Sequence, residues 1–152
     1  LLHEQVELNK AFGEAPNTRR ESITRRIRAA CEPVVKYLLF CDEARLTAPI
    51  AGTSAFSSEF AARGPFDSQQ RSLRQFDLET RMFRYPLSYI IYSKQFDGLP
   101  VEAKDQIYRR LWEVLSGQDT SSDFAHLTPE DRVAVQEILR ETKPGLPDYW
   151  KK

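Results

Sequence analysis

The sequence predicts an all-α fold, an irregular bundle of about five to seven helices around a central antiparallel helix pair. Apolar residues recur at three- and four-residue spacing in one segment after another, and no segment sustains the alternation of a half-buried strand. Proline and glycine fall mostly between these periodic runs. With 41% hydrophobic and 29% charged residues, the chain has the composition of a soluble globular protein. Residues 1–152 are read as a single helical domain, long enough to bury roughly 70% of its unfolded surface.

The first run, residues 1–12, sets Leu2, Val6, Leu8 and Phe12 on a short amphipathic helix that Gly13 and Pro16 close. It starts without methionine and with its pattern already under way, so the chain is expected to be the C-terminal fragment of a longer protein. The first helix would then face the missing part. His3-Glu4 matches the start of a zinc-protease HExxH pattern, but the second histidine is absent, and His3 is read as a surface or partner-facing residue.

A second helix starts near Thr18, with Ile23, Ile27, Ala30, Cys31, Val34, Leu38 and Cys41 in one stripe. Pro33 lies inside it and predicts a kink or break near Glu32. Arg19, Arg20, Arg25, Arg26 and Arg28 crowd the first half, a set suited to phosphates or an acidic partner, or to a solvated face paired with Glu21 and Glu32. Cys31 and Cys41, on one helix, would stand about 15 Å apart at 1.5 Å per residue. A disulfide tolerates about 7 Å, so both are expected to be free thiols.

The pattern weakens over residues 42–77. Thr53 or Ser54 is expected to cap a short helix that turns Phe56 and Phe60 inward, and residues 64–72 read as an exposed loop. Residues 72–84 suggest another short helix carrying Leu73, Phe76, Leu78 and Phe83. Loops on rigid scaffolds carry function, so Arg63, Arg71 and Arg74 mark a candidate binding surface.

Residues 78–117 hold the densest apolar and aromatic content and supply the expected central pair. Pro86 suits a first helical position, and Leu87, Tyr89, Ile90, Ile91, Tyr92 and Phe96 make that helix apolar on several sides. Asp97-Gly98 stops it and Leu99-Pro100 starts the next. There Val101, Ile107, Leu111, Val114 and Leu115 are expected to face inward, with Lys104, Asp105, Arg109, Arg110 and Glu113 on the opposite face. Gly117 suits a left-handed C-cap. After a polar linker, Thr128-Pro129-Glu130-Asp131 has the cap, proline and acids of a helix start. Val135, Ile138 and Leu139 give that last helix its inner face, and His126 before it reads as a packed or capping residue.

The run RSLRQFDLETRMFRYPLSYIIYS (residues 71–93), with YRRLWEVLSG and LRETKPGLPDYW after it, resembles the C-terminal region of a family of larger, functionally uncharacterised bacterial proteins, several of them regarded as exported. The resemblance covers most of the chain after about Lys36. It implies a bacterial source and a longer parent chain; it implies no activity.

Lysine plus arginine and aspartate plus glutamate balance at 22 each, so no whole-molecule charge favours nucleic acid or an anionic membrane. No apolar run approaches the roughly 20 residues of a membrane span. Only two histidines are present, and there is no GxSxG elbow, P-loop, GxGxxG, CxxC or ExxH pair. Hence no catalytic, cofactor-binding or metal residue is assigned. Tyr85, Tyr89 and Tyr92 offer rings for a sugar or aromatic ligand, against the plainer reading that they are core. The expected function is a non-catalytic helical module acting in assembly or in recognition of a protein partner or the parent's other domains. The alternative is a hydrolase or ligand-binding domain with an aromatic cleft beside residues 63–74.

Overall fold

A helix that is apolar along one stripe has to bury that stripe against a neighbour, and this requirement arranges the chain. The computed structural model describes residues 2–15, 21–52 and 54–151. The fold is all-α. Among the described residues it has six α-helices: α1 (Leu2–Ala11), α2 (Glu21–Leu38), α3 (Phe56–Ala61), α4 (Lys94–Asp97), α5 (Val101–Leu115) and α6 (Pro129–Thr142). Three 3-10 turns, Tyr89–Tyr92, Ser122–Phe124 and Asp148–Lys151, join them, with no strand.

The central element is α5, which buries Ile107, Tyr108, Leu111, Val114 and Leu115. Its most extensive helix partner is α2, through Ile27, Cys31, Val35 and Leu38, and α6 adds Val135, Ile138 and Leu139. Trp150 packs beside α6 with no exposed surface. The pair at the centre is therefore α2 with α5, not a hairpin of residues 86–116. Two serines account for the change. The Ser88 hydroxyl accepts from Ile90 N and caps the Tyr89–Tyr92 turn. Ser93 then adopts an extended conformation, and its hydroxyl accepts from Phe96 N to start α4 afresh. Serine competes for backbone donors in this way, so the expected long helix is cut into two short pieces.

Other expectations shift too. α2 is assigned as one helix through Pro33, without the break expected near Glu32. Pro33 is exposed, so water can serve the carbonyl that loses its donor. Val35 takes the inward position expected of Val34, which is 38% exposed, and Ala30 faces out. Cys41 lies beyond α2, and both thiols are free. On α1 the buried side chains are Gln5 and Asn9, while Leu8 and Phe12 are exposed. Asn9 Nδ2 donates to Ala15 O at 3.2 Å, and Gln5 Nε2 donates to Asn9 Oδ1. Thr18, expected to start the second helix, and Thr53, a possible cap, lie outside the described residues. The N-cap position of α3 is Ala55, which offers no side-chain cap, but Ser54 Oγ accepts from Phe56 N at 3.5 Å; Phe60 is buried and Phe56 exposed. Val101 is 60% exposed, because the inward face of α5 begins a turn later.

Residues 64–72 are partly buried rather than an open loop. The Asp67 carboxylate, itself buried, accepts from the backbone N–H groups of Gln69 and Arg71 at 3.0 and 2.7 Å and from Arg71 Nε at 2.7 Å. Residues 72–84 form no helix. They double back at an isolated antiparallel bridge between Phe76 and Phe83. The Asp77 side chain accepts from Glu79 N and Thr80 N, the local capture that makes aspartate a turn residue.

One side chain gathers several carbonyls of the α5–α6 connection. Arg132, on α6, donates to the carbonyls of Val114, Asp119, Phe124 and Leu127.

Candidate functional site

Where α2 ends, Phe40 and Asp42 take positive φ values of 55° and 63° and swing the chain out of the helix. The residue 77–83 turn and the start of α6 face this bend. Between them is a cleft of about 380 Å³. Its apolar wall includes Phe40, Phe83 and Pro86, with the two phenylalanine rings stacked at 5.5 Å. Its polar lining carries five carboxylates (Asp42, Glu43, Asp77, Asp123 and Asp131) against the guanidiniums of Arg45 and Arg81, with His126.

Several of these groups are already engaged. Arg81 forms a two-pronged pair with Asp131 at 2.8 and 2.7 Å and also donates to Arg84 O. Burial acts to raise the Asp131 pKa, but Arg81 and the Thr128 cap outweigh it and hold it below the usual carboxylate range. Asp77 is lowered by the N–H groups of Thr80 and Glu79. Asp123 meets Lys36 Nζ at 2.7 Å. His126 Nε2 lies 2.7 Å from Leu39 O. A carbonyl can only accept, so Nε2 carries the proton and Nδ1 is left as the acceptor unless it too is protonated. Asp42, Glu43 and Arg45 are exposed, and no ion pair engages them among the described residues. The open valence of the cleft is thus anionic, beside a stacked aromatic wall. That combination suits an ammonium or guanidinium, which gains from carboxylates and from ring faces together.

Arg19 and Arg20 fall outside the described residues, and Arg25, Arg26, Arg28 and Arg63 are exposed. Arg71 is turned inward, bridging Asp67 and Glu137 at 2.7 and 2.8 Å. Arg74 donates to Gly64 O, and its guanidinium sits 5.0 Å from the Phe60 ring and 4.6 Å from the Tyr89 ring. Tyr89 meets Phe60 edge-on at 5.0 Å, and Phe76 and Phe83 continue the cluster. Tyr85 is buried, and the Tyr92 hydroxyl bonds Thr142 Oγ1 at 2.6 Å while burial pushes its pKa up to about 12. Arg74 and Tyr89 are brought together; the α2 arginines belong to a different face. The aromatic rings beside residues 63–74 pack on one another and on Arg74.

The cleft residues Asp77, Asp123 and Asp131 lie in three separate segments, so no spacing rule could have grouped them. The one local signal is Asp77 followed by Glu79-Thr80, which marks the turn but not its destination. Comparison of the chain finds no matching family model, curated protein or solved structure.

Proposed function

We propose that the chain is a non-catalytic helical module of a larger bacterial protein and acts in partner recognition, its cleft gripping a basic segment of a partner or of the parent chain. The observation that carries this reading is the pairing of unengaged carboxylates, Asp42 and Glu43, with the stacked Phe40 and Phe83 rings in one 380 Å³ cleft. A lysine or arginine side chain laid against that wall meets both, while Arg45 disfavours a second cation and sets the orientation. The titrating behaviour of nearby groups fits the same reading: burial, with Asp42 adding to it, pushes the Cys41 thiol up to about 11, away from nucleophilic use at neutral pH.

The test is a titration of the chain with a fluorescent peptide containing arginine, leucine and lysine, beside a counterpart with glutamate at the basic positions. The basic peptide should bind and the acidic one should not, and the affinity should fall as salt is added. Neutralising the rim with Asp42→Asn and Glu43→Gln together removes about 1–2 kcal/mol of charge interaction, a roughly five- to thirtyfold loss. Equal binding of both peptides, or no response to the double substitution, would end the proposal.

A further inference from the structure

Five arginines are half-buried among the described residues: Arg71, Arg74, Arg81, Arg110 and Arg132. Three of them meet carboxylates: Arg71 meets Asp67 and Glu137, Arg81 meets Asp131, and Arg110 meets Glu32 and Asp119. Arg132 spends its donors on four carbonyls. Arg74 is the exception. Its Nε donates to Gly64 O at 2.9 Å, and no carboxylate or other acceptor engages its side chain among the described residues. Its two terminal nitrogens are not buried, so a ligand can reach both. We infer that the Arg74 guanidinium anchors a binding site for an organic monocarboxylate.

The site has three parts. The first is a fixed cation. The Arg74 backbone N–H donates to the Ser72 hydroxyl at 3.2 Å, and Gly64 O holds Nε. Phe60 and Tyr89 meet edge-on, and the guanidinium lies 5.0 and 4.6 Å from their ring centres. A side chain held at both ends has given up its freedom before a ligand arrives, and its remaining N–H groups form a planar fork that matches two carboxylate oxygens. The second part is charge. Arg63 is exposed beside Gly64, and no ion pair engages it among the described residues. It attracts an anion from solution while Arg74 makes the contact. One fixed cation bordered by rings balances one negative charge; a doubly charged phosphate would set its second charge against an apolar surround. The third part is apolar. Phe56 is 60% exposed and stacks on Phe60 at 5.7 Å. Phe66 is 40% exposed, and its ring crosses Gly64 so closely that a Cβ there would lie 2.9 Å from it. Each of these rings is one residue removed from the guanidinium, and together they offer area to a hydrocarbon body that an inorganic anion lacks. Arg74 does not line the acidic cleft, so this site stands apart from the cleft reading.

The test titrates the full chain with N-acetyl-phenylalanine, its amide, inorganic phosphate and a short peptide ending in phenylalanine with a free carboxyl group, read by calorimetry and nuclear magnetic resonance. N-acetyl-phenylalanine should bind in about the millimolar range and its amide about tenfold more weakly or worse. The shifts should centre on the Arg74 Nε–H and the Gly64 amide. Arg74→Lys keeps the charge without the fork and should weaken binding about tenfold, while Arg63→Gln should weaken it about twofold. An unchanged thermal midpoint in Arg74→Lys separates lost binding from lost fold; if the midpoint falls, Arg63→Gln and the comparison of acid with amide decide. Tighter binding of the peptide assigns the carboxylate to a chain terminus and equal binding assigns it to a free acid, and either result supports the site. The proposal is overturned if acid and amide bind alike, or if neither the acid nor the peptide binds. It is overturned if phosphate displaces the acid, if a stable Arg74→Lys binds like the parent chain, or if the shifts map to the acidic cleft.

Discussion

Arg110 lies on the face of α5 that the sequence assigned to solvent, and replacing it with alanine should nevertheless cost much more than a surface change. Its guanidinium reaches Glu32 on α2 at 2.8 and 3.0 Å, Asp119 beyond α5 at 2.5 Å and Glu113 at 3.3 Å, and it lies 5.4 Å from the Phe124 ring. Its side chain is 18% exposed. Breaking a fully buried ion pair costs about 3–5 kcal/mol and an exposed one about 0–1. Glu32 and Asp119 keep 32% and 22% of their side-chain surface, which sets Arg110→Ala between those limits, at about 2–3 kcal/mol. For a chain of this size that lowers the thermal midpoint by roughly 5–10 °C. The variant should also change the acid response. The Ser121 N–H, then Arg110, hold the Asp119 pKa at about 2, below its ordinary 3.8. A depressed carboxylate stabilises the fold above its unfolded pKa, and that contribution is lost as pH falls from about 4 towards 2. Nearly two pKa units bound it at about 2.5 kcal/mol, and solvent screening reduces this to about 1. Urea unfolding at pH 7, 4 and 2.5 should therefore show a shallower loss in Arg110→Ala than in the parent chain. A cost below about 0.5 kcal/mol, or identical pH dependence, would refute the assignment of Arg110 as an internal tie.

Leu111→Ala, at a position with no exposed surface, should cost about 2–5 kcal/mol by urea midpoint. Gly117 has φ +78° with open space where a Cβ would go, so Gly117→Ala should cost about 1–2 kcal/mol through backbone conformation alone, measured by the same unfolding curves. Asp67→Asn should lose about 1–3 kcal/mol, because an amide cannot replace both carboxylate oxygens as acceptors; calorimetry reads this directly. Cys41, with its pKa raised to about 11 from an ordinary 9.0, should react with a disulfide reagent at pH 8 about a hundredfold more slowly than an unperturbed thiol. Unreduced protein should show no two-dalton deficit on mass analysis.

What could be read from the residues was local. The inward set of α5 from Ile107 to Leu115 and the Thr128 cap, whose hydroxyl accepts from Asp131 N, follow from spacing and from caps a few residues apart. Ser88 and Ser93 were equally local, but they sit inside an apolar run whose periodicity suggested one continuous helix; the side-chain caps decided the matter. The choice of α2 as partner to α5 was not legible, because it depends on contacts between segments some 70 residues apart, such as Cys31 Sγ to Ala103 O. Nor was the cleft. His126 was read only as a packed or capping residue, and only the bend at Phe40 and the doubled-back turn at Asp77 bring it to one opening with Asp42 and Glu43.

Arg132 gives the linker between α5 and α6 an unusual dependence. Residues 116–123 are mostly polar and exposed, the kind of stretch where chains are ordinarily cut, lengthened or re-joined without penalty, before Phe124 and Leu127 return to the core. Here four carbonyls from Val114 to Leu127 share a donor that belongs to the next helix. The linker thus takes part of its shape from a residue that follows it in the chain. A circular permutant opened within 117–121 would separate the borrowed donor from part of its clientele, and a graft of α5 with its linker onto another scaffold would carry the sequence of the loop without its conformation.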